Sequence, residues 1–425
     1  MSQKAGLGVA PSYFNVLTTN RSEGQIWSGM AFVSALLLYA TLSGPFPSAP
    51  GVVEVIIACL LALFVTLPTG IVVMSGGFTI YQKYEIVPMW LHLGFFLSLW
   101  WGLFNGGIVH AWHVTDIVRD LIPCVYMFVP LLLLPAMQRS RWNWAQLFPW
   151  LLSIVGVILS IRFFYVVQIS PLDIGKMSYF DNFLYLAYDP SVTFAAIFLP
   201  IMAIHTWKSS SLMHWISSLM MLAGGFMALA SLMAIAQRAP VGLSVLSFFV
   251  YFLLISWKSV KKILLFLIIM ACISYLAQDL ITSSYQLLMN KQETYGMNGK
   301  ADEFIAVLQD TSRSVHALLF GIGWGGLFYD PTYGEEVSFT HSAVTFFLLK
   351  GGVLGLTIFL LYLIWIFSKL FRSLSMERLP YILAATVPVM IGLLFQPSFK
   401  TLTYGMIIAF LCLMDQKSLT RSSKA

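Results

Sequence analysis

The stretch WAQLFPWLLSIVGVILSIRFFYVV, residues 144–167, decides the class of fold. It is apolar over almost its whole length, and Arg162 is its one charged residue. A helix needs about 20 such residues to cross the hydrocarbon core of a bilayer. The stretch therefore predicts a membrane-spanning helix, and similar apolar runs recur along the chain.

The composition of the whole chain agrees with this reading. Of its 425 residues, 59% are hydrophobic and only 10% are charged, and the mean hydropathy is +0.82. Soluble domains carry about 25% charged residues. These values exclude a soluble enzyme, a disordered chain and a collagen-like fibre. They predict an all-α polytopic integral membrane protein, in which the net charge of +6 sets orientation rather than binding nucleic acid.

About twelve apolar runs are long enough to be candidate transmembrane helices. We expect a single membrane domain over residues 1–425, with one large loop, 281–340, forming a cap on it. The candidate spans are 26–43, 52–74, 86–104, 118–137, 144–167, 192–206, 212–236, 241–257, 263–280, 341–366, 379–395 and 402–414.

The positions of the 24 basic residues predict the orientation. Most of them fall in loops on the side of the two termini, so the positive-inside rule places both termini in the cytoplasm. Arg238 opposes the rule. It lies in AIAQRAPVGL, between two apolar spans with almost no loop. An arginine at such depth is costly and usually faces a cavity or a partner.

The cap loop predicts one or two amphipathic helices lying on the membrane surface. Its middle, ADEFIAVLQDTSRSVHALLFG, repeats apolar residues at helical spacing. These residues are Phe304, Ile305, Val307, Leu308, Val315, Leu318 and Leu319.

A glycine-rich motif, LFGIGWGG at 319–326, follows these helices and precedes His341 at the start of an apolar run. Glycine at this density permits tight turns and close approach of the backbone to a ligand. A dinucleotide site is disfavoured, because no strand is predicted before the glycines. On composition alone, His341 reads as an interfacial side chain bonded to a loop.

The region 220–400 resembles the bacterial O-antigen ligase and O-antigen polymerase superfamily. Gly321, Gly323, Gly325, His341 and Ser342 match, in order, the GxGxG turn and the His-Ser pair with which that family opens a span. The segment GGVLGL at 351–356 also resembles a glycine-containing segment of the family.

A second match lies upstream, where the family has an arginine in a turn between two central spans. Arg238 holds that place, although Gln237 stands where the family has serine and Ala239-Pro240 replaces Gly-x. Lys300 stands where the family often has arginine, which keeps the charge but loses the bidentate fork.

The resemblance implies an integral-membrane transferase fold of the GT-C-like type, in the bacterial inner membrane, with its active site facing the periplasm. The donor it implies is a glycan on undecaprenyl diphosphate, and the acceptor is a second glycan or lipid A-core. Membrane lipid and a chain-length regulator protein are the further partners implied.

Breaking the sugar–phosphate bond leaves a diphosphate, which needs positive charge beside it. We predict that Arg238, Lys300, Arg313 and Lys400 bind this diphosphate, and that Arg238 and His341 are the catalytic residues. His341 would take or orient the proton of the acceptor hydroxyl. Because the outer loops carry no paired acids of the DxD type, no metal and no cofactor are predicted.

For several charged residues, a purely structural role stays open as an alternative to a functional one. Arg313 could pair with Asp310 or Glu303 on its own helix, and Asp116, Arg119 and Asp120 could form an internal ion pair. Lys350, inside an apolar run below His341, is either functional or paired.

The predicted activity is that of a repeat-unit polymerase for O-antigen, capsule or exopolysaccharide. The alternatives are an O-antigen ligase and, in a different class, a transporter or flippase of lipid-linked glycans. Transporters often show repeated halves and broken central helices, and the sequence shows no similarity between its halves.

Overall fold

A computed structural model of the chain describes most of its residues. The described residues are 24–44, 51–84, 87–140, 142–176, 184–206, 211–259, 261, 264, 268, 275, 278–295, 299–331, 334–372 and 374–414. They are almost entirely helical, and one two-stranded antiparallel hairpin is the only sheet among them.

The first half of the chain consists of helices that run back and forth through a bundle, with a π-helical turn, Asn105–Val109, after α5. The helices are α1 Gly24–Leu42, α2 Val52–Val65, α3 Leu67–Met74, α4 Phe78–Tyr84, α5 Met89–Phe104, α6 Val114–Met127, α7 Pro130–Arg139 and α8 Trp144–Val167.

The second half of the chain continues the bundle and carries the hairpin. The helices are α9 Leu184–Tyr188, α10 Pro190–Thr206, α11 Leu212–Ala234, α12 Arg238–Ser256, α13 Gln278–Tyr295, α14 Lys300–Thr311, α15 Val315–Phe320, α16 Ala343–Arg372, α17 Leu379–Leu394 and α18 Leu402–Met414. The strands of the hairpin, which lies between α15 and α16, are β1 Phe328–Asp330 and β2 Glu335–Val337, which pair with Tyr329 opposite Glu336.

The helices include long apolar ones, as a membrane protein requires. Among the described residues, α8, α11, α12 and α16 are each long and apolar enough to cross a bilayer, and the number rises to six if each bent pair is one span. Helices α1, α10, α17 and α18 are apolar but shorter. A helix or a bent pair lies at each predicted interval except 263–280, which lies mostly outside the described residues. The membrane class is confirmed, and the count of about twelve spans stays a prediction.

The two bent pairs break where proline or a left-handed residue interrupts the helix. Helices α2 and α3 meet at 88° around Thr66, whose φ is 70°, and α6 and α7 meet at 48° ahead of Pro130. Proline has no N–H to continue the ladder. At the first break, Arg139 donates to the Val65 carbonyl at 2.7 Å and to Thr69 Oγ1 at 3.0 Å, which replaces part of the lost bonding.

The centre of the bundle is built by helices that are apolar on all faces, as buried helices are. Every residue of α18 is buried, and α10 buries Phe194, Ile197 and Ile201 completely. Asp189, just before α10, accepts hydrogen bonds from Tyr39 on α1 at 2.5 Å and from Thr403 on α18 at 2.7 Å. This buried carboxylate ties three helices together and fixes the start of α18.

The predicted cap helices are present as α14 and α15. Helix α14 buries Glu303 and Val307 against the rest of the protein, and it packs on α16 and β1. Ser314 caps α15 by accepting a hydrogen bond from Ala317 N at 3.0 Å. The predicted apolar side chains Phe304, Ile305, Leu308, Val315, Leu318 and Leu319 are exposed, as expected for helices that contact a membrane surface. The end of the bundle that carries α14, α15 and the hairpin is called the cap end below.

Candidate functional site

The glycine loop 321–326 lies at the cap end and is held by the chain's own backbone. Gly321, Gly323 and Gly325 have φ values of 72°, 78° and 90°, which residues with a Cβ rarely adopt. A Cβ on Gly323 would collide with the backbone of Gly106 in the π-helical turn. The sequence predicted an approach to a ligand, whereas the close approach in the structure is to the protein itself.

The loop also crosses a break in α16. Gly352 interrupts that helix with a φ of 62°, and the turn frees backbone groups of α16. Ile322 N donates to the Leu349 carbonyl at 2.9 Å, and Gly323 N donates to the Lys350 carbonyl at 3.1 Å. The dense glycines of both segments therefore let two stretches of backbone bond to each other.

A buried ion pair fixes the far end of the loop. Lys350 Nζ lies 2.5 Å from Asp120 Oδ2, and both side chains are almost fully enclosed. Asp120 also accepts from Gly325 N at 2.8 Å, and Lys350 donates to the Gly326 carbonyl. Lys350, left open by the sequence, is thus paired. Arg119 pairs with Asp116 at 3.0 Å, as one of the two readings predicted.

His341 contacts a buried carboxylate, that of Glu303 on α14. The His341 backbone N–H donates to the two carboxylate oxygens at 3.0 and 3.2 Å, and the ring Nδ1 contacts Oε2. Thr345 Oγ1 donates to Oε1 at 3.2 Å. The Glu303 side chain is 3% exposed and that of His341 is 17% exposed. The imidazole therefore sits at the rim of the protein, with its inner side fixed.

Arg238 and Lys300 lie close enough to each other to interact electrostatically. Burial, followed by the charge of Arg238, lowers the pKa of Lys300, and the charge of Glu303 opposes that shift. Arg238 begins α12 directly after a turn in which Ala236 has a φ of 52°. Residues distant in sequence thus interact, since the charges of Arg238 and Glu303 both act on Lys300 and Glu303 contacts His341.

Lys400 lies between this group and the buried ion pair. Its ammonium is 5.3, 5.9 and 5.7 Å from the ring centroids of Phe339, Phe346 and Phe399, within the range of cation–π attraction. Burial lowers its pKa to about 7, while the charges of Asp120 and Glu303 oppose the shift. The Phe339 ring also packs edge-on against His341, with the centroids 5.8 Å apart.

Arg313 is placed differently from the other predicted diphosphate ligands. It pairs with Asp310 at 2.6 Å, and its side chain is 75% exposed. It follows the far end of α14 from Lys300, about 18 Å along a twelve-residue helix. The structure therefore places Lys300 and Lys400 within electrostatic range of Glu303, which contacts His341, and Arg238 within range of Lys300, whereas Arg313 lies at the other end of α14.

Glu303 is the member of this cluster that the sequence analysis did not assign to the site. The sequence does carry one indication of its importance, which is its place on a helix face. Lys300, Glu303 and Val307 recur at the spacing of one such face. An acid on a face that also carries a buried valine must be bonded inside the protein. Which residue it meets could not be read from the sequence, since His341 lies 38 positions further along the chain.

Within the described part of the chain, no group of three His, Cys, Asp or Glu side chains is arranged to hold a metal ion. No model of a known protein family matches the chain, and no curated protein is significantly similar to it. The fold and the site define an all-helical membrane protein with clustered cations and a histidine–glutamate contact at one end of its bundle.

Proposed function

We propose that this protein is an inner-membrane glycosyltransferase that moves a glycan from undecaprenyl diphosphate to a sugar hydroxyl at the periplasmic face. The observation that carries the proposal is the Glu303–His341 contact, together with the charge interactions of Lys300 with Glu303 and with Arg238. It combines what the two halves of the reaction need, namely positive charge for a leaving diphosphate and a base for an attacking hydroxyl.

On the donor side, the bond between the anomeric carbon and the phosphate oxygen breaks, and its electron pair stays on the diphosphate. Arg238 and Lys300 neutralise the charge that develops there. Lys400, which is near Glu303 and carries a lowered pKa, adds charge at the same end. Arg313 is retained as a predicted outer contact, with the smallest role.

On the acceptor side, the hydroxyl oxygen attacks the anomeric carbon and its proton passes to His341. A neutral imidazole suits this task near pH 7. No step draws on a metal or nucleotide, so EDTA should leave transfer unchanged and no nucleotide should be required.

The proposed setting is a GT-C-like bundle of about twelve spans, with both termini in the cytoplasm and the cap end in the periplasm. The exposed apolar side chains of α14 and α15 support a cap that lies on the membrane surface. A lipid-linked donor would then reach the site from the bilayer.

The test is a gel of surface polysaccharide from a deletion strain complemented with wild type, Arg238→Ala or His341→Ala. A lipid A-core carrying a single repeat unit in the deletion strain and in both mutants is the result expected for a polymerase, which is the favoured activity. A bare core, with long chains accumulating on the lipid carrier, would identify a ligase. Both results require normal membrane levels of the mutants.

A transporter of lipid-linked glycan is the second candidate, and the bent pairs α2–α3 and α6–α7 favour it, because transporters use broken helices. The α2–α3 break is, however, bonded by Arg139, which belongs to neither charged cluster of the cap end. An unchanged ladder with both mutants would reject the transferase for this glycan and favour the transporter.

A further inference from the structure

We infer that Glu303 is the positioning residue for His341, holding the imidazole in the tautomer in which Nε2 is the base. The inference rests on the proposed function and adds a residue to it. It concerns a side chain whose place in the site only the fold reveals.

The geometry around Glu303 is that of a carboxylate saturated by donors. It receives the His341 N–H, the His341 ring through Nδ1, and the Thr345 hydroxyl at 3.2 Å. Thr345 is itself held by Ser342, since the two hydroxyl oxygens lie 2.8 Å apart. The carboxylate is therefore fixed by His341 itself and by Thr345, in the first turn of α16.

Capping of α16 does not account for these contacts. Ser342 already accepts the Thr345 N–H at 3.1 Å, which is the usual side-chain bond of a helix N-cap. Glu303 instead binds the main chain and the ring of the same residue, His341. Two bonds to one histidine fix its rotamer as well as its position.

The chemical consequence follows from the two ring nitrogens of histidine. An ionised carboxylate accepts hydrogen bonds but donates none, so the contact at Nδ1 places a proton there, and in the neutral imidazole the lone pair is then on Nε2. When Nε2 takes the proton of the acceptor hydroxyl, the new imidazolium lies against the Glu303 charge. The hydroxyl oxygen bonds to the anomeric carbon, and the electron pair of the broken bond leaves with the diphosphate.

The test compares Glu303→Gln and Glu303→Asp with Asp302→Asn in the full-length protein in nanodiscs. Asp302 is a matched control, because it is an exposed acid in the same turn of α14. For Glu303→Gln we expect kcat for glycan transfer to fall about 100-fold or more, with KM for the donor changed by less than about threefold. Glu303→Asp should recover part of kcat, and Asp302→Asn should match wild type.

A second measurement reads the tautomer directly, by 15N NMR of histidine-labelled protein, with His341→Asn used to assign the signal. Wild type should show His341 protonated at Nδ1, and Glu303→Gln should show a mixture of tautomers. The inference is overturned if Glu303→Gln keeps both kcat and the wild-type tautomer, or if wild type is protonated at Nε2 alone.

The two measurements separate this inference from the proposed function. If wild type transfers no glycan but the tautomer still changes in Glu303→Gln, the pairing is supported and the transferase proposal fails. If transfer is robust and Glu303→Gln is indistinguishable from Asp302→Asn, the transferase stands and the role of Glu303 fails.

Discussion

Two groups of charged side chains lie at the cap end of the bundle, and they differ in burial and in what their contacts fix. Asp120 and Lys350 form an ion pair inside the protein at 2.5 Å and are bonded to the glycine loop. Arg238 and Lys300 are like charges in partly buried positions, and Lys300 also interacts with the charge of Glu303, which contacts His341. The first group fixes the backbone of the loop, whereas the second holds like charges near each other, an arrangement that a bound anion stabilises. The first group therefore belongs to the scaffold, and the second is the candidate site.

Breaking the ion pair between Asp120 and Lys350 should have the largest effect, and that effect should be on stability. Lys350→Met removes the 2.5 Å partner of the buried Asp120 carboxylate and leaves it only the longer contact with Arg119 at 3.9 Å, which costs about 3–5 kcal/mol. We expect loss of most folded protein, measured as the thermal midpoint in detergent by size-exclusion chromatography.

The matched control is Lys369→Met on the same helix, whose ammonium lies over the Trp365 ring at 4.6 Å. It should be almost neutral. The double change Asp120→Asn with Lys350→Met should regain stability, because asparagine can still accept from Gly325 N. If Lys350→Met is as stable as Lys369→Met, the ion pair is not what holds the loop.

Changes at Arg238 and His341 should act on transfer instead. Arg238→Ala and His341→Ala should each lower transfer about 10²- to 10⁴-fold. Their free energies of unfolding should fall less than that of Lys350→Met, because the side chains of Arg238 and His341 are only partly buried. Arg238→Lys, which keeps the charge, should retain more activity than Arg238→Ala. A stability loss in both alanine variants that matches their activity loss would assign these residues to the scaffold.

The sequence could predict the helices and the candidate charged residues, but it could not predict their partners. Apolar runs predicted the helices, and Arg238, Lys300 and Lys400 were visible as candidates because they oppose the positive-inside rule in the predicted orientation. The partners were not visible, because the pairing of Asp120 with Lys350 and of Glu303 with His341 spans loops whose closure depends on the whole bundle. The close contact of the glycine loop with Gly106 was not visible either, because Gly106 lies more than two hundred residues earlier in the chain.

Lys300 should show an intermediate effect. A hydrogen bond to a charged group contributes about 1.5–3 kcal/mol, so Lys300→Ala should raise KM for the lipid-linked donor about tenfold or more. Lys300→Arg should be tolerated better, because it keeps the charge that lies beside Arg238. Steady-state kinetics with purified donor checks both variants. Equal losses in the two would mean that the shape of the side chain matters and its charge does not.

Lys400 should make anion binding depend on pH. Burial lowers its pKa to about 7, so the ammonium is present at lower pH and is lost as pH rises through that value. The thermal stabilisation given by sulfate should therefore weaken between about pH 6 and pH 8. Lys400→Met should flatten this dependence, and Lys369→Met should keep it. An unchanged slope in Lys400→Met would place the titrating group elsewhere.

Arg313 should show the smallest effect, and it therefore tests how far the candidate site extends along α14. Its charge is already paired with Asp310 at 2.6 Å in an exposed position, where ion pairs contribute about 0–1 kcal/mol. We expect Arg313→Ala to change transfer by no more than about threefold and stability by less than about 0.5 kcal/mol. Asp310→Asn should behave similarly if the pair is only a surface contact. A loss in Arg313→Ala alone that approached the loss in Arg238→Ala would mean that the donor reaches along the whole of α14. The candidate site would then extend from Lys300 to the far end of that helix.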